Sequence, residues 1–171
     1  RIHVAAGTYG TASGETFPLT VSGMAGVKIL GTNAALTVFD AAGAGQRVFS
    51  LASGANRTVL ESVTLRGGNV SGTEASALRV EGSTEVVLSG CIVESNTCTY
   101  SVNLDVAHAA IYGSANTSVT LTNCIVRNNE GINWITASRP AYGAGLYSRG
   151  SLTVVDSQIR NNLVRSRYAA G

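Results

Sequence analysis

Residues 118–129 read SVTLTNCIVRNN, and close variants of this segment occur at three other places in the chain. The variants are RTVLESVTLRGG at 57–68, EVVLSGCIVESN at 85–96 and GSLTVVDSQIRNN at 150–162. The copies follow one another at intervals of 28, 33 and 33 residues when they are aligned on Leu60, Leu88, Leu121 and Val154. Self-similarity at such a period is typical of proteins built from stacked structural repeats. We therefore predict that these four residues lie directly over one another in one continuous core.

Apolar and polar residues alternate within each copy, as expected for strands with one buried face. The alternation shifts by one residue in the middle of the copy, which indicates a bend or bulge between two short strands. Each copy then supplies four inward positions. The predicted inward columns are Thr58, Val86, Val119 and Leu152; Leu60, Leu88, Leu121 and Val154; Val63, Cys91, Cys124 and Ser157; and Leu65, Val93, Val126 and Ile159.

An asparagine closes three of the four copies, at Asn96, Asn129 and Asn162, and Gly68 takes its place in the first copy. Stacked coils repeat about every 4.8 Å. Asparagine side chains at that spacing can hydrogen-bond from one coil to the next as an amide ladder. Asparagine also tolerates the left-handed backbone of a tight turn. We predict an inward asparagine ladder whose members also make the turn.

A further strand recurs after the variable part of each coil, as ALRV at 77–80, AIYG at 110–113 and GLYS at 145–148. Its second residue is predicted to face inward and its third outward, which places Arg79, Tyr112 and Tyr147 on the outer surface. Parallel strands need long returns, and these returns show no helical periodicity. The pattern predicts an all-β, single-stranded parallel β-helix of about six coils, forming one domain.

The phrase L-x-x-C-x-[IV]-x-x-N in residues 88–96 and 121–129 resembles the coils of the right-handed parallel β-helix (pectate-lyase-like) superfamily. It is also similar to bacterial surface β-helices such as the chlamydial polymorphic outer-membrane proteins. The resemblance implies a right-handed solenoid, and it implies little about function because enzymes, adhesins and structural proteins share this fold.

The first 31 residues carry V-x-x-G-T-Y, G-E-x-F-P-L-x-V and G-V-x-I-L-G in that order. This series resembles an uncharacterised bacterial domain family that begins many β-helices, and it implies that residues 1–31 form the first coil. The next coils are predicted at 32–56, 57–82, 83–115 and 116–150, with a truncated coil at 151–171. Both ends look cut from a longer protein. Insertions at 97–106 and 130–142 follow equivalent turns and should protrude side by side.

The composition of the chain argues against nucleic acid and membranes as its partners. The net charge of +2, with a single lysine and no run of basic residues, argues against a nucleic-acid partner. The chain also contains no apolar stretch of about 18 residues, so no membrane span is expected.

Three cysteines are present. Cys91 and Cys124 share an inward column, where parallel side chains suit a disulfide poorly, so we interpret them as stacked buried thiols that belong to the structural ladder. Cys98 is predicted to lie in a loop.

Candidate catalytic residues are few. The chain has three aspartates and seven glutamates, and no two share a motif of the kind that a glycosidase needs. His108 near Asp105 is the best candidate base, and a structural role for it is the more common case. Two histidines without a closely spaced thiol pair argue against zinc, and the aspartate-rich calcium repeat is absent. We predict no catalytic residue, no cofactor and no metal, and we favour a non-enzymatic protein.

Ligand binding is therefore expected on the outer surface. Insertions gathered on one face of a repeat protein often form its binding surface, and rigid aromatic and arginine side chains suit sugars, proteins and anionic groups. The alternative is that these columns only stabilise the sheets through cross-strand contacts. The candidate residues are Trp134, Arg139, Tyr142, Tyr112, Tyr147, Arg127 and Arg160.

The function predicted from these features is that of a non-enzymatic structural or adhesive module, extracellular or on a bacterial cell surface, with polysaccharide or another surface protein as its candidate partner. One alternative is the non-catalytic part of a carbohydrate-active enzyme, a lyase or glycoside hydrolase whose active site lies outside this chain. The other is a filament or surface-layer subunit that self-associates end to end or laterally.

Overall fold

The computed structural model describes residues 1–72, 75–100, 109–133 and 143–166, with only the backbone for Tyr100, Asn133 and Ser166. Across these residues the chain is all-β and winds as a parallel β-solenoid of about five turns, followed by strands of a sixth. The described residues include one short 3₁₀ turn, Thr11–Ser13. The predicted fold class is confirmed.

Two six-stranded sheets carry the repeated segment. Sheet A contains β1 (Ile2–Val4), β4 (Lys28–Gly31), β7 (Val59–Glu61), β11 (Val86–Ser89), β15 (Ser118–Thr122) and β19 (Ser151–Val155). Sheet B contains β2 (Gly7–Gly10), β5 (Thr37–Asp40), β8 (Thr64–Arg66), β12 (Ile92–Glu94), β16 (Ile125–Arg127) and β20 (Gln158–Arg160).

The return half of each coil forms two smaller sheets. Sheet C contains β3 (Leu19–Val21), β6 (Phe49–Leu51), β10 (Leu78–Val80), β14 (Ile111–Gly113) and β18 (Leu146–Ser148). Sheet D lies between sheets B and C from the third coil onward, with β9 (Asn69–Ser71), β13 (Thr97–Tyr100), β17 (Glu130–Asn133) and β21 (Leu163–Ser166).

The predicted register is confirmed. Leu88 pairs with Leu60 on one side and with Leu121 on the other, and Leu121 pairs with Val154. The three leucines have no exposed surface, whereas Val154 is 40% exposed because it belongs to the last described coil. One apolar core therefore runs through the solenoid.

One boundary in the first coil was predicted wrongly. The strand β4 pairs with both β1 and β7 in sheet A, so it opens the second coil instead of closing the first. The phrase G-V-x-I-L-G had been assigned to the first coil because residues 1–31 resemble a family that begins many β-helices. Which coil a strand joins depends on its partner strands, and that resemblance does not identify them.

A single left-handed residue makes the bend between sheets A and B. Ser62, Gly90, Asn123 and Asp156 occupy this position in successive coils, and their φ angles are 54°, 59°, 52° and 48°. The bend shifts the alternation by one residue, which is the phase shift seen in the sequence. Asn123 and Asp156 suit this position because the short polar side chains of asparagine and aspartate tolerate a left-handed backbone better than most residues do.

Candidate functional site

Two tyrosines stack on the outer surface of sheet C. Arg79, Tyr112 and Tyr147 occupy one outward column, since Arg79 pairs with Tyr112 and Tyr112 pairs with Tyr147. The two rings are nearly parallel, with an interplanar angle of 9° and centroids 6.1 Å apart. The predicted stacking is confirmed. We call Arg79, Glu81, Tyr112 and Tyr147 the tyrosine face.

The two rings differ in exposure. Tyr112 is only 5% exposed, and it forms a small cluster outside the solenoid core with Ala75 and Tyr147. Tyr147 is half-buried. Alternation predicted that both rings point outward, but it does not predict what packs over the sheet. Tyr147 is therefore the more exposed of the two tyrosines, and Tyr112 packs against it from the adjacent coil.

An ion pair adjoins the rings. The guanidinium of Arg79 donates to the carboxylate of Glu81 at 2.5 Å, and both side chains are partly exposed. Because Arg79 lies one coil from Tyr112, the pair places a donor and an acceptor group at the end of the tyrosine column. Such a combination of an aromatic ring with polar groups is common in sugar-binding and protein-binding surfaces.

A ladder of alternating charges lies on sheet B. Its outward column runs through Asp40, Arg66, Glu94, Arg127 and Arg160, one residue from each of the second to sixth coils. Arg66 donates to Asp40 at 2.7 Å, and Arg127 donates to Glu94 at 2.7 Å. Arg127 and Arg160 are adjacent as predicted. Among the described residues, Arg160 is in no ion pair, and its neighbour in the column carries the same charge.

The candidates in the second insertion, Trp134, Arg139 and Tyr142, lie outside the described residues, and so do Asp105 and His108. The stems of both insertions are described. Residues Thr97–Tyr100 and Glu130–Asn133, which begin the two predicted insertions, pair as parallel strands in sheet D instead of protruding, and the rest of each insertion lies outside the described residues. Glu130 in the second stem forms an ion pair with Arg165 in the next coil.

The asparagine ladder is confirmed, but the predicted turn role is not. Asn96, Asn129 and Asn162 hydrogen-bond through their side chains from coil to coil. The left-handed residue is the one before each of them: Ser95, Asn128 and Asn161, with φ angles of 56°, 54° and 56°. The ladder residue has to aim its amide inward, so the reversal of the chain falls on its neighbour.

Gly68 lacks a side chain for a steric reason. A Cβ atom built at this position would lie 1.8 Å from the carbonyl oxygen of Ser76. No asparagine fits there, so the ladder ends on the backbone N–H of Gly68, which donates to Oδ1 of Asn96 at 2.9 Å.

The two stacked cysteines are free thiols, and each is 1% exposed, as predicted. The thiol of Cys91, acting as a hydrogen-bond partner, lowers the pKa of Cys124 to about 7. The same contact, together with burial, raises the pKa of Cys91 well above its ordinary value. The expectation for Cys98 was wrong: it lies in β13 and is fully buried.

An apolar cavity of about 570 Å³ opens at the first-coil end of the solenoid. Ile2, Phe39 and Phe49 are among the residues that line it, and His3 and Glu15 supply polar atoms. No pattern in the sequence predicts this cavity. It arises because the first coil has no described strand beneath it, so the interior side chains of the first two coils face the opening.

Within the described residues, no three histidine, cysteine, aspartate or glutamate side chains are grouped as a metal site would require, and no helix there is long and apolar enough to cross a membrane.

Comparison with known proteins identifies the family to which this chain belongs. Residues 1–169 match the model of a family described as a protein of unknown function, DUF1565. The chain belongs to this family. No curated protein and no solved structure matches the chain.

The DUF1565 match extends through all six coils, well beyond the 31 residues on which the resemblance to an uncharacterised family was based. The fold and the family agree with a β-helix superfamily. The description of DUF1565 names no activity, so function has to be argued from the surface of this chain.

Proposed function

We propose that this DUF1565 chain is a non-enzymatic structural module of an extracellular or cell-surface bacterial protein, and that it binds polysaccharide through the tyrosine face. The observation that carries the proposal is the half-buried ring of Tyr147, held parallel to Tyr112 and aligned with the Arg79–Glu81 pair. The resemblance of the coils to bacterial surface β-helices supports the location.

Rigidity favours this surface for binding. Tyr112 is buried and packs against Tyr147, and both are anchored in sheet C by strands whose inward residues belong to the main core. A ring that is already fixed loses little conformational freedom when a ligand binds. Sugar rings stack on such aromatic surfaces, and hydroxyl groups can exchange hydrogen bonds with the neighbouring guanidinium and carboxylate.

The position of the insertions also supports this surface. The described parts of the chain resume at Ala109 and Gly143, immediately before β14 and β18 of sheet C. The segments 101–108 and 134–142 therefore connect directly to the strands that carry Tyr112 and Tyr147. Loops attached to a rigid scaffold often carry binding residues, which adds Trp134, Arg139 and Tyr142 to the proposed site.

A glycan array followed by titration calorimetry with the full chain tests the proposal. We expect Tyr147→Ala to abolish binding and Tyr147→Phe to retain most of it if ring stacking dominates. Glu61→Ala is the control, because Glu61 is exposed and lies on sheet A, and it should bind like the wild type. Trp134→Ala reports whether the second insertion contributes. Absence of binding to any glycan, or equal binding by Tyr147→Ala, would overturn the polysaccharide proposal.

A second candidate function is association through the sixth coil. Val154 is 40% exposed and Ile159 is 49% exposed, although the equivalent residues in the three preceding coils are fully buried. Exposed apolar columns on an open sheet edge favour the addition of another β-coil, including one from a second copy of the chain.

A further inference from the structure

The interior cysteines are placed to hold a metal ion. Cys91 and Cys124 precede the paired residues Ile92 and Ile125, and the N–H of Ile125 donates to the carbonyl of Cys91 at 2.9 Å. The two side chains therefore occupy equivalent inward positions in adjacent coils. We propose that their sulfurs form a two-coordinate site for a soft monovalent d¹⁰ cation, with copper(I) as the natural ion and silver(I) as its redox-inert substitute.

The spacing of the coils suits such a site. Equivalent atoms of adjacent parallel strands lie about 4.8 Å apart. A sulfur–metal–sulfur unit with bonds of about 2.3 Å, the length of a zinc–thiolate bond, spans about 4.6 Å when it is linear. A disulfide requires the sulfurs to approach to about 2.05 Å and the Cβ atoms to about 3.8 Å, which would pull the two coils together.

The backbone around the sulfurs favours a positive ion. Sγ of Cys91 lies 3.2 Å from the carbonyl oxygen of Leu60, and Sγ of Cys124 lies 3.4 Å from that of Leu88. These oxygens direct the negative ends of their dipoles toward the sulfurs. They stabilise an S–H proton now, and they would stabilise a cation that replaces it.

The charge of the ion and the number of ligands that it needs restrict which metal can bind here. An apolar core strongly disfavours a net charge. One monovalent cation that displaces one thiol proton leaves a neutral thiolate–metal–thiol unit, and the released proton goes to solvent. A zinc ion would need four ligands, and no group of three candidate ligands exists among the described residues. Soft thiolate ligands select copper(I), zinc and iron–sulfur clusters, and of these only copper(I) is a monovalent ion that accepts two ligands.

The protein itself suggests matched variants. Val63 and Ser157 occupy the column of Cys91 and Cys124 in the third and sixth coils. Cys91→Val and Cys124→Ser therefore introduce side chains that this column already accommodates. Cys98→Val is the control, because Cys98 in sheet D pairs with the buried Val70.

The experiment uses the full reduced chain under anaerobic conditions. Because both cysteine residues are buried, silver(I) is added either to the folded protein over many hours or during refolding from urea. Bound metal is counted after desalting, charge-transfer absorbance is recorded, and circular dichroism verifies that each variant is folded.

We expect one silver ion per chain in the wild type and in Cys98→Val, with an increase in the melting temperature. Folded Cys91→Val and Cys124→Ser should each lose the ion. A wild type that binds no silver by either route would overturn the proposal. So would retention of the ion by both folded single variants, or its loss in Cys98→Val.

Discussion

The side-chain nitrogen of Asn96 lies 2.9 Å from the side-chain oxygen of Asn129, one coil further along the solenoid. Asn129 makes the same contact with Asn162 at 2.9 Å. Each ladder amide also satisfies backbone groups: Oδ1 of Asn129 accepts from the N–H of Asn96 at 3.1 Å, and Nδ2 of Asn129 donates to the carbonyl of Val93 at 3.1 Å. The ladder thus satisfies polar groups that the turn between sheets B and D would otherwise bury without partners.

Replacing Asn129 with alanine should destabilise the fold by about 2–4 kcal/mol. The change leaves the N–H and the amide of Asn96 without their acceptor in a buried place, and each unsatisfied buried group costs about 1–3 kcal/mol. Urea unfolding measures the change in the free energy of unfolding. Asn69→Ala is the control, since Asn69 is exposed and such surface changes usually stay within about 0.5 kcal/mol. Equal effects of the two variants would show that the ladder contributes nothing specific.

Extending the ladder into the third coil should fail. The repeat suggests Gly68→Asn as a conservative change, yet the new Cβ would lie 1.8 Å from the carbonyl oxygen of Ser76. We expect a loss of about 3 kcal/mol or more, because the backbone of one segment has to move. Urea unfolding measures it, and a variant as stable as the wild type would contradict the steric argument.

Gly90 provides the opposite case. Its φ angle is 59°, and an added Cβ would contact only Oγ of Ser62, at 3.7 Å. Gly90→Asn should be nearly neutral, because Asn123 occupies the same bend in the next coil. Gly90→Val should cost about 1–2 kcal/mol through the left-handed backbone alone. The melting temperatures of Gly90→Asn and Gly90→Val, measured side by side, show whether the loss of stability comes from the left-handed backbone or from steric crowding.

Reversing the charge of Arg160 should continue the alternation on sheet B. In Arg160→Glu the new carboxylate lies beside Arg127, which removes a like-charge contact and adds an acceptor. We expect a gain of about 0.2–1 kcal/mol, the range for surface ion pairs. The gain should shrink at high salt because exposed charges are screened. Arg160→Gln removes only the repulsion, and a gain in the glutamate variant that is independent of salt would contradict the electrostatic explanation.

Association through the sixth coil should depend on its apolar columns. We expect the sedimentation coefficient of the wild type to rise with protein concentration, and we expect Val154→Glu to abolish the rise. Thr153→Glu is the control, since Thr153 is the outward neighbour in the same exposed strand. A wild type that sediments as a monomer at every concentration would exclude self-association by this surface.

The repeat alone was sufficient to predict the architecture. Alternating apolar residues in four aligned copies specify which side chains face inward, and three asparagines at one position specify the ladder, because a solenoid repeats the same physical demand in every coil. The columns of Leu60, Cys91 and Asn96 could therefore be predicted from sequence, and the structure confirms all three.

Other features were decided by contacts between coils, which a single segment does not encode. The pairing of β4 with β7, the steric exclusion of a side chain at Gly68 and the burial of Tyr112 all depend on what lies one coil away. Alternation specifies the side of the sheet on which a residue lies. Only the packed structure determines whether that side is covered, which is why Tyr147 and not Tyr112 is the more exposed ring of the proposed site.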